Sequence, residues 1–193
     1  MNIITYPHPT LRRASKPIRR VDAELRGIVR QMFDQMYEAK GIGLAANQID
    51  LPLRLFIVNL EGKRGVGEEF VFINPVISLP RGGAEEVEEG CLSLPGLFGQ
   101  VMRPKQVRIN AYSIGGQEIE ADMIGLLARC CQHELDHLDG VLFPDRMSTT
   151  ARADIEHELE IFESEFTSRR TTGAVPSDEA IAQRWTEWEE RYA

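Results

Sequence analysis

The sequence predicts an α+β fold in which mostly antiparallel strands surround one central helix that carries an HExxH motif. Three strand-like runs, at 53–60, 70–79 and 105–114, are rich in β-branched and aromatic residues. Two other segments repeat their apolar residues at helical spacing. The strand–helix–strand rhythm of a parallel sheet is missing, which favours the antiparallel class.

The first predicted helix covers about 22–40, with Asp22 as its N-cap and Gly41 at its end. The second covers about 123–138, with Asp122 as candidate N-cap and Gly140 as the stop signal. We expect the first helix to pack on the outside of the strands and the second to lie among them.

Beyond Pro144 the pattern changes to two amphipathic, acidic helices joined by the linker TTGAVPS at 171–177. Residues 151–193 hold 11 acidic and 5 basic side chains, whereas the rest of the chain is nearly balanced. The prediction is a main domain over 1–147 and an acidic helical extension over 148–193. The extension's aromatic stripe, Trp185, Trp188 and Tyr192, is expected to pack on its own domain rather than on another subunit.

Composition excludes several function classes. The net charge is −8 over 193 residues, so the chain lacks the basic face that binding to DNA or other nucleic acid requires. No apolar run approaches the roughly 20 residues of a membrane span, and the N-terminus lacks a signal-peptide pattern. Three cysteines without framework spacing indicate a reducing compartment, and we expect a cytoplasmic protein.

The strongest local signal is QHELDH at 132–137. His133 and His137 are four residues apart, which places both imidazoles on one helix face where they can share a metal ion. Glu134 stands beside the first histidine and can serve proton transfer without being a ligand. Two histidines leave the metal under-coordinated, so a third ligand is needed. Cys91, in the turn-like segment EEGCLSLPG, is the better candidate than a glutamate from the tail.

Three segments together resemble the signature motifs of peptide deformylases, in the family's order and with similar separations. They are GIGLAANQ at 41–48, EGCLSLPG at 89–96 and QHELDHLDG at 132–140. The opening ITYPHPTLRRASKPI is also similar to the family's N-terminus, so the resemblance covers about 3–147. It implies an enzyme that removes the formyl group from N-formylmethionyl nascent peptides and releases formate.

The resemblance also implies a role for each matching residue. Cys91, His133 and His137 would hold the metal, and Glu134 would be the general acid and base. Gln48 and the backbone N–H of Leu92 would stabilise the oxyanion, and Gly43 would let the substrate backbone approach. Fe²⁺ is the metal that the resemblance implies, while the donor set could also accept Zn²⁺, Ni²⁺ or Co²⁺.

A methionine-sized pocket should lie beside the metal. Leu126 and Cys130 share the helix face of the histidines, and Ile42 and Val87 are candidates for the opposite wall, although ordinary core positions would explain Leu126 and Cys130 equally well. Several residues depart from the family's pattern and bear on substrate preference: Lys40, Phe98 and Arg129. We expect Arg129 either to lean out of the helix face or to narrow specificity, and Arg103 to pair with Glu89 rather than with substrate.

Two other functions are compatible with part of the sequence. A metallopeptidase would share the HExxH motif, but it gives no role to EGCLS or GIGLAANQ. A metal-stabilised interaction module would need neither Glu134 nor Gln48, and no fourth ligand of a closed structural zinc site is evident. Because the tail helices are acidic, we expect ribosome docking through them to be weak or absent.

Overall fold

The computed structural model describes residues 2–193 and contains one antiparallel five-stranded sheet. The strands follow one another in chain order across it: β1 (Gly43–Ala45), β2 (Leu55–Val58), β3 (Phe70–Cys91), β4 (Leu94–Tyr112) and β5 (Glu118–Ile124). The α+β class with antiparallel strands is therefore confirmed. Two strands are longer than the predicted runs at 70–79 and 105–114, because β3 and β4 form a hairpin of 22 and 19 residues.

The first helix, α1 (Ala23–Glu38), agrees with its prediction. The Asp22 side chain accepts a hydrogen bond from the Leu25 N–H at 2.9 Å and so caps a donor that the helix itself cannot satisfy. Its buried face belongs to a core cluster that also contains apolar residues of β1 and β2.

The second helix, α2 (Gly125–Leu138), begins later than predicted, and Asp122 is not its N-cap. Asp122 lies in β5, where its carboxylate accepts a hydrogen bond from Arg108 on β4 at 2.8 Å. Pairing with β4 takes the backbone of 118–124 into the sheet, and the helix starts only after that strand ends. Ala128, Cys131 and Leu138 then bury the inner face of α2 among strand residues such as Phe56 and Ile109.

Three further helices form the tail: α3 (Thr149–Ala153), α4 (Glu156–Thr171) and α5 (Asp178–Tyr192). The Trp185 indole donates to Thr10 Oγ1 at 2.8 Å, and the Tyr192 hydroxyl lies 2.9–3.0 Å from Glu24 and Asp22. Tyr192 is 1% exposed and joins the core cluster of α1. The aromatic stripe thus packs on its own chain, as predicted.

Within residues 2–193, no helix combines the length and apolarity that crossing a bilayer would require. The His157 side chain on α4 is exposed.

Candidate active site and metal centre

The end of β3 and the face of α2 bring together the three predicted metal ligands. Cys91 is the last residue of β3, and its Sγ lies 3.2 Å from Nε2 of His137. The Nε2 atoms of His137 and His133 are also 3.2 Å apart, one helical turn separating the two residues. One ligand atom from each residue lies within 4.8 Å of the others, so a single ion can contact all three.

The donor set suits a divalent transition metal. His133 uses its Nδ1 to meet Glu89 Oε2 at 3.0 Å, which leaves Nε2 directed toward the other two ligands. A carboxylate on the far ring nitrogen is the usual way to orient a metal-binding histidine. One thiolate and two imidazoles are ligands that zinc, iron, cobalt and nickel accept.

A buried charge network stands behind His133. Arg103, 4% exposed, donates from Nε and a terminal nitrogen to both oxygens of Glu89 at 2.7 and 3.0 Å. Its other terminal nitrogen reaches Asp136 at 2.8 Å. Burial alone would raise the pKa of Glu89, but the hydrogen bonds from His133 and Arg103 outweigh it and lower that pKa to about 2. Glu89 is therefore a permanent carboxylate, and its predicted pairing with Arg103 is confirmed.

Arg129 also joins Glu89 and does not lean out of the helix face. Its guanidinium donates to Glu89 Oε1 at 2.6 Å and to the carbonyls of Val101 and Glu85 at 3.0 and 2.7 Å. It thereby ties α2 to the β3–β4 hairpin along one wall of the site, where Arg129 is a lining residue.

Glu134 is 4% exposed, and its Oε2 has no hydrogen-bond partner within residues 2–193. Burial raises the pKa of this carboxyl to about 7, with a further increase from the charge of Glu89 and a counteracting effect of His133. A buried oxygen that faces a cleft without a protein partner is placed to receive a proton from a ligand or a water.

Gly43 lies directly against Glu134. A Cβ at Gly43 would come within 2.4 Å of Glu134 Oε1 and 2.8 Å of Cys130 Sγ. The family resemblance implies that the glycine at this position lets the substrate backbone approach. The structure adds that β1 must pass close to α2 at this point, so a side chain would collide with the protein first.

Gln48 lies in a 3-10 helix, Ala46–Ile49, that follows β1. Its Oε1 accepts a hydrogen bond from the Ala45 N–H at 2.8 Å, which fixes the orientation of the side-chain amide. The amide nitrogen then lies 3.4 Å from Cys91 Sγ and 3.2 Å from Ser93 Oγ. The donor end of Gln48 is thus held at the edge of the metal site.

A cavity of about 660 Å³ opens beside these residues. Its lining contains the predicted Ile42, Gly43, Leu92 and Leu126, together with Gln48, Cys91, Cys130, His133 and Glu134. Leu126 stands at the mouth with 55% of its surface exposed. The part of the wall that Leu126 and Cys130 form was predictable, because both share a helix face with the histidines.

Val87 does not line this cavity, so its predicted place in the wall was wrong. It pairs with Val101 on the β3–β4 hairpin, beyond the residues that reach the site. Leu97 and Phe98 on β4 line the cavity instead, because the tight turn after Cys91 folds β4 back over the site. The placement of Leu97 and Phe98 depends on the length of the β3–β4 hairpin, which the sequence pattern did not predict.

An antiparallel α+β fold in which the end of β3 and the central helix α2 bring Cys91, His133 and His137 together, with Glu134 beside them in a cleft, defines a metal-dependent hydrolase. Comparison with known proteins identifies which one. The polypeptide deformylase family model matches residues 1–153. The chain belongs to the peptide deformylase family and has the family's activity, removal of the N-formyl group from nascent peptides.

Individual relatives agree along the whole chain. A peptide deformylase of Rhodopirellula baltica is 48% identical over 192 residues, which is 100% of this chain and 95% of that protein. A chloroplastic peptide deformylase 1B of Solanum lycopersicum is 41% identical over 184 residues, 95% of this chain but 65% of that longer protein. A crystal structure of plant peptide deformylase PDF1B superposes with a TM-score of 0.86 at 41% identity and covers 92% of this chain and 95% of that one.

Proposed function

We propose that Cys91, His133 and His137 hold the catalytic metal ion of this deformylase, and that the cavity beside them receives the formyl-methionyl end of the substrate. The observation that carries the proposal is the convergence of one thiol and two imidazoles within 4.8 Å, next to the unpartnered Oε2 of Glu134. A divalent ion bound there would polarise the formyl carbonyl and lower the pKa of a neighbouring water toward about 7.

The chain's own residues supply positioning and proton transfer. Glu134 takes a proton from the attacking water and delivers it to the amine nitrogen that leaves as formate is released. Its burial favours this two-way exchange, because burial raises the pKa of the carboxyl and so makes it a better proton acceptor than an exposed glutamate. Glu89 and Arg103 hold the His133 ring in place while the proton moves.

Gln48 and Leu92 stabilise the charge that develops on the formyl oxygen. The Gln48 amide is fixed through Ala45 and needs no reorganisation when that charge forms. The Leu92 backbone N–H, one residue after Cys91, serves as the second donor. Preorganised donors of this kind are each worth on the order of a hundredfold or more in rate.

The methionine side chain occupies the apolar part of the cavity, with Ile42 and Leu126 in contact with it and Gly43 leaving room for the peptide backbone. The cavity's size of about 660 Å³ fits a small, mostly apolar group together with a short length of peptide. Phe98, more than half exposed at the mouth, meets the residues after methionine.

We propose Fe²⁺ as the working metal, with Zn²⁺, Ni²⁺ and Co²⁺ as alternatives that the same ligands can hold. Elemental analysis of anaerobically purified protein tests both the ion and its ligands. One equivalent of iron in the wild type, and its loss in Cys91→Ala with retained secondary structure, supports the proposal. An unchanged metal content in Cys91→Ala excludes that residue as a ligand.

The substrates are N-formylmethionyl peptides, including nascent chains at the ribosome, and we propose a cytoplasmic enzyme. Residues 1–147 form the catalytic part and 148–193 the helical extension. We expect the acidic extension to give weak or no docking on ribosomes, because like charges repel the rRNA phosphates. Co-sedimentation of the full-length protein with ribosomes at 0.15 M salt, lost on deletion of the extension, would contradict this.

A further inference from the structure

Asp50 is a buried carboxylate whose ion pair with the half-exposed Arg184 links the tail to the segment carrying Gln48. Its side chain is 6% exposed, and its Oδ2 lies 2.6 Å from a terminal nitrogen of Arg184 on α5. Asp50 also accepts a hydrogen bond from the Thr10 hydroxyl, and Thr10 in turn accepts one from the Trp185 indole at 2.8 Å. Two neighbouring residues of α5 are therefore linked to this carboxylate, Arg184 directly and Trp185 through Thr10.

Asp50 is the C-terminal cap of the 3-10 helix that contains Gln48. It adopts a left-handed backbone conformation with φ +64°, and its N–H bonds back to the carbonyls of Ala46 and Asn47. Within that short helix, the Asn47 amide donates to the His137 carbonyl, and the Gln48 amide nitrogen lies beside Cys91 Sγ. One end of the segment touches the metal site while the other is held by the tail.

We infer that Arg184 is a positioning residue for the reaction, acting through Asp50 to hold the Gln48 amide in place. The inference rests on the oxyanion role proposed for Gln48. Asp50 needs a cation because an unpaired buried carboxylate is strongly disfavoured. Arg184 supplies that charge, and it does so from a helix that contributes nothing to the lining of the active-site cavity.

Loss of Arg184 should change the position of the Gln48 side chain. Asp50 then keeps Thr10 as a partner and has His8 at 3.9 Å, but it lacks its ion pair. The left-handed cap can move toward solvent to hydrate its charge, and a 3-10 helix of four residues has little stiffness to isolate Gln48 from that movement.

The test compares Arg184→Gln with Arg191→Gln. Arg191 lies on the same helix and pairs with Glu24 at 2.7 Å, not with Asp50. The side chains of Arg191 and Glu24 are both about half exposed. We expect kcat for a formyl-Met peptide to fall about three- to tenfold in Arg184→Gln, with KM within twofold, because the interaction acts on the transition state. Arg191→Gln should match the wild type, and Arg184→Lys should recover part of the loss.

Two further measurements make the result decisive. In Arg184→Gln the side-chain amide resonances of Gln48 should shift in ¹⁵N–¹H spectra, which reports position whether or not the enzyme turns over. Asp50→Asn removes the buried charge that Arg184 neutralises, so adding it to Arg184→Gln should restore part of the lost kcat, because no carboxylate is left that must move toward solvent. Asparagine tolerates the left-handed conformation, so this variant keeps the cap.

The inference is overturned if Arg184→Gln equals Arg191→Gln in kcat and in the Gln48 resonances, or if the double variant is slower than Arg184→Gln alone. An inactive wild type would instead refute the proposed function, while the Gln48 resonances would still test the link.

Discussion

At the scale of single residues, the site depends on how closely two chain segments approach. Gly43 on β1 faces Glu134 and Cys130 on α2 with no room for a Cβ, which the sequence motif around it does not reveal. The family resemblance implies that Gly43 leaves room for the substrate backbone. The structure shows that the protein itself also requires one.

Gly43→Ala should lower formate release by roughly a hundredfold, because displacement of a reacting carboxylate by about 1 Å has effects of that size. Gly27→Ala is the matched control. Gly27 lies inside α1 with only Arg30 near an added Cβ, at 3.8 Å, so alanine there should stabilise the fold by about 0.5–1 kcal/mol and leave activity unchanged. Wild-type activity in Gly43→Ala would show that the collision is relieved without moving Glu134.

His8 is a buried histidine in the N-terminal segment before α1. It is 5% exposed, and its Nδ1 accepts a hydrogen bond from the Thr10 N–H at 3.3 Å. Burial lowers the pKa of His8 below 6.5; nearby Asp50 opposes this, while Arg184, Arg170 and Arg169 add to it. The folded protein therefore holds His8 neutral at pH values where the unfolded chain protonates it.

This gives stability a defined pH dependence. Between 6.5 and the lowered native pKa, the unfolded state binds more protons, so the free energy of unfolding should fall as pH falls. Urea unfolding at several pH values between 5 and 7 measures the free energy of unfolding. This free energy should change less steeply with pH in His8→Gln than in wild type. His157→Gln is the control, since the His157 side chain is 82% exposed. Equal slopes in His8→Gln and wild type would contradict the prediction.

At the scale of elements, helix α2 and strand β3 share the construction of the metal centre. The sequence predicted α1 and its Asp22 cap correctly, because a helix start is coded locally. It missed β5 and the length of the β3–β4 hairpin, since polar residues and glycines on an exposed ribbon carry little periodic signal. The hairpin strands β3 and β4 bring Cys91, Glu89 and Leu97 close to α2.

Glu89→Gln should weaken metal binding about 10- to 100-fold, because an uncharged amide holds His133 less firmly and leaves Arg103 without its carboxylate. Competition with a chelator at fixed pH measures the affinity directly. Glu85→Gln controls for charge on the same strand, since its carboxylate meets only the exposed Lys105 at 3.4 Å. An unchanged metal affinity in Glu89→Gln would show that the charge network does not strengthen metal binding.

At the scale of the whole molecule, residues far apart in sequence converge on one cleft. The three motifs could be recognised without a structure because each keeps its chemistry within a few residues: two histidines one helical turn apart, a cysteine in a turn, and a glutamine after β1. The wall formed by Leu97 and Phe98, the Arg129 bridge and the Asp50–Arg184 pair depend on tertiary packing and could not be predicted from local patterns.

Formate release from a formyl-Met peptide by Glu134→Gln, beside the wild type, tests the central claim most directly. Both proteins are loaded anaerobically with Fe²⁺ or Ni²⁺, and their metal content is measured. Glutamine keeps the shape of the side chain but cannot accept the proton, so release should fall on the order of a hundredfold or more with one metal per chain retained. Near-wild-type release from metal-loaded Glu134→Gln would contradict the account, because the proton would then move through another group.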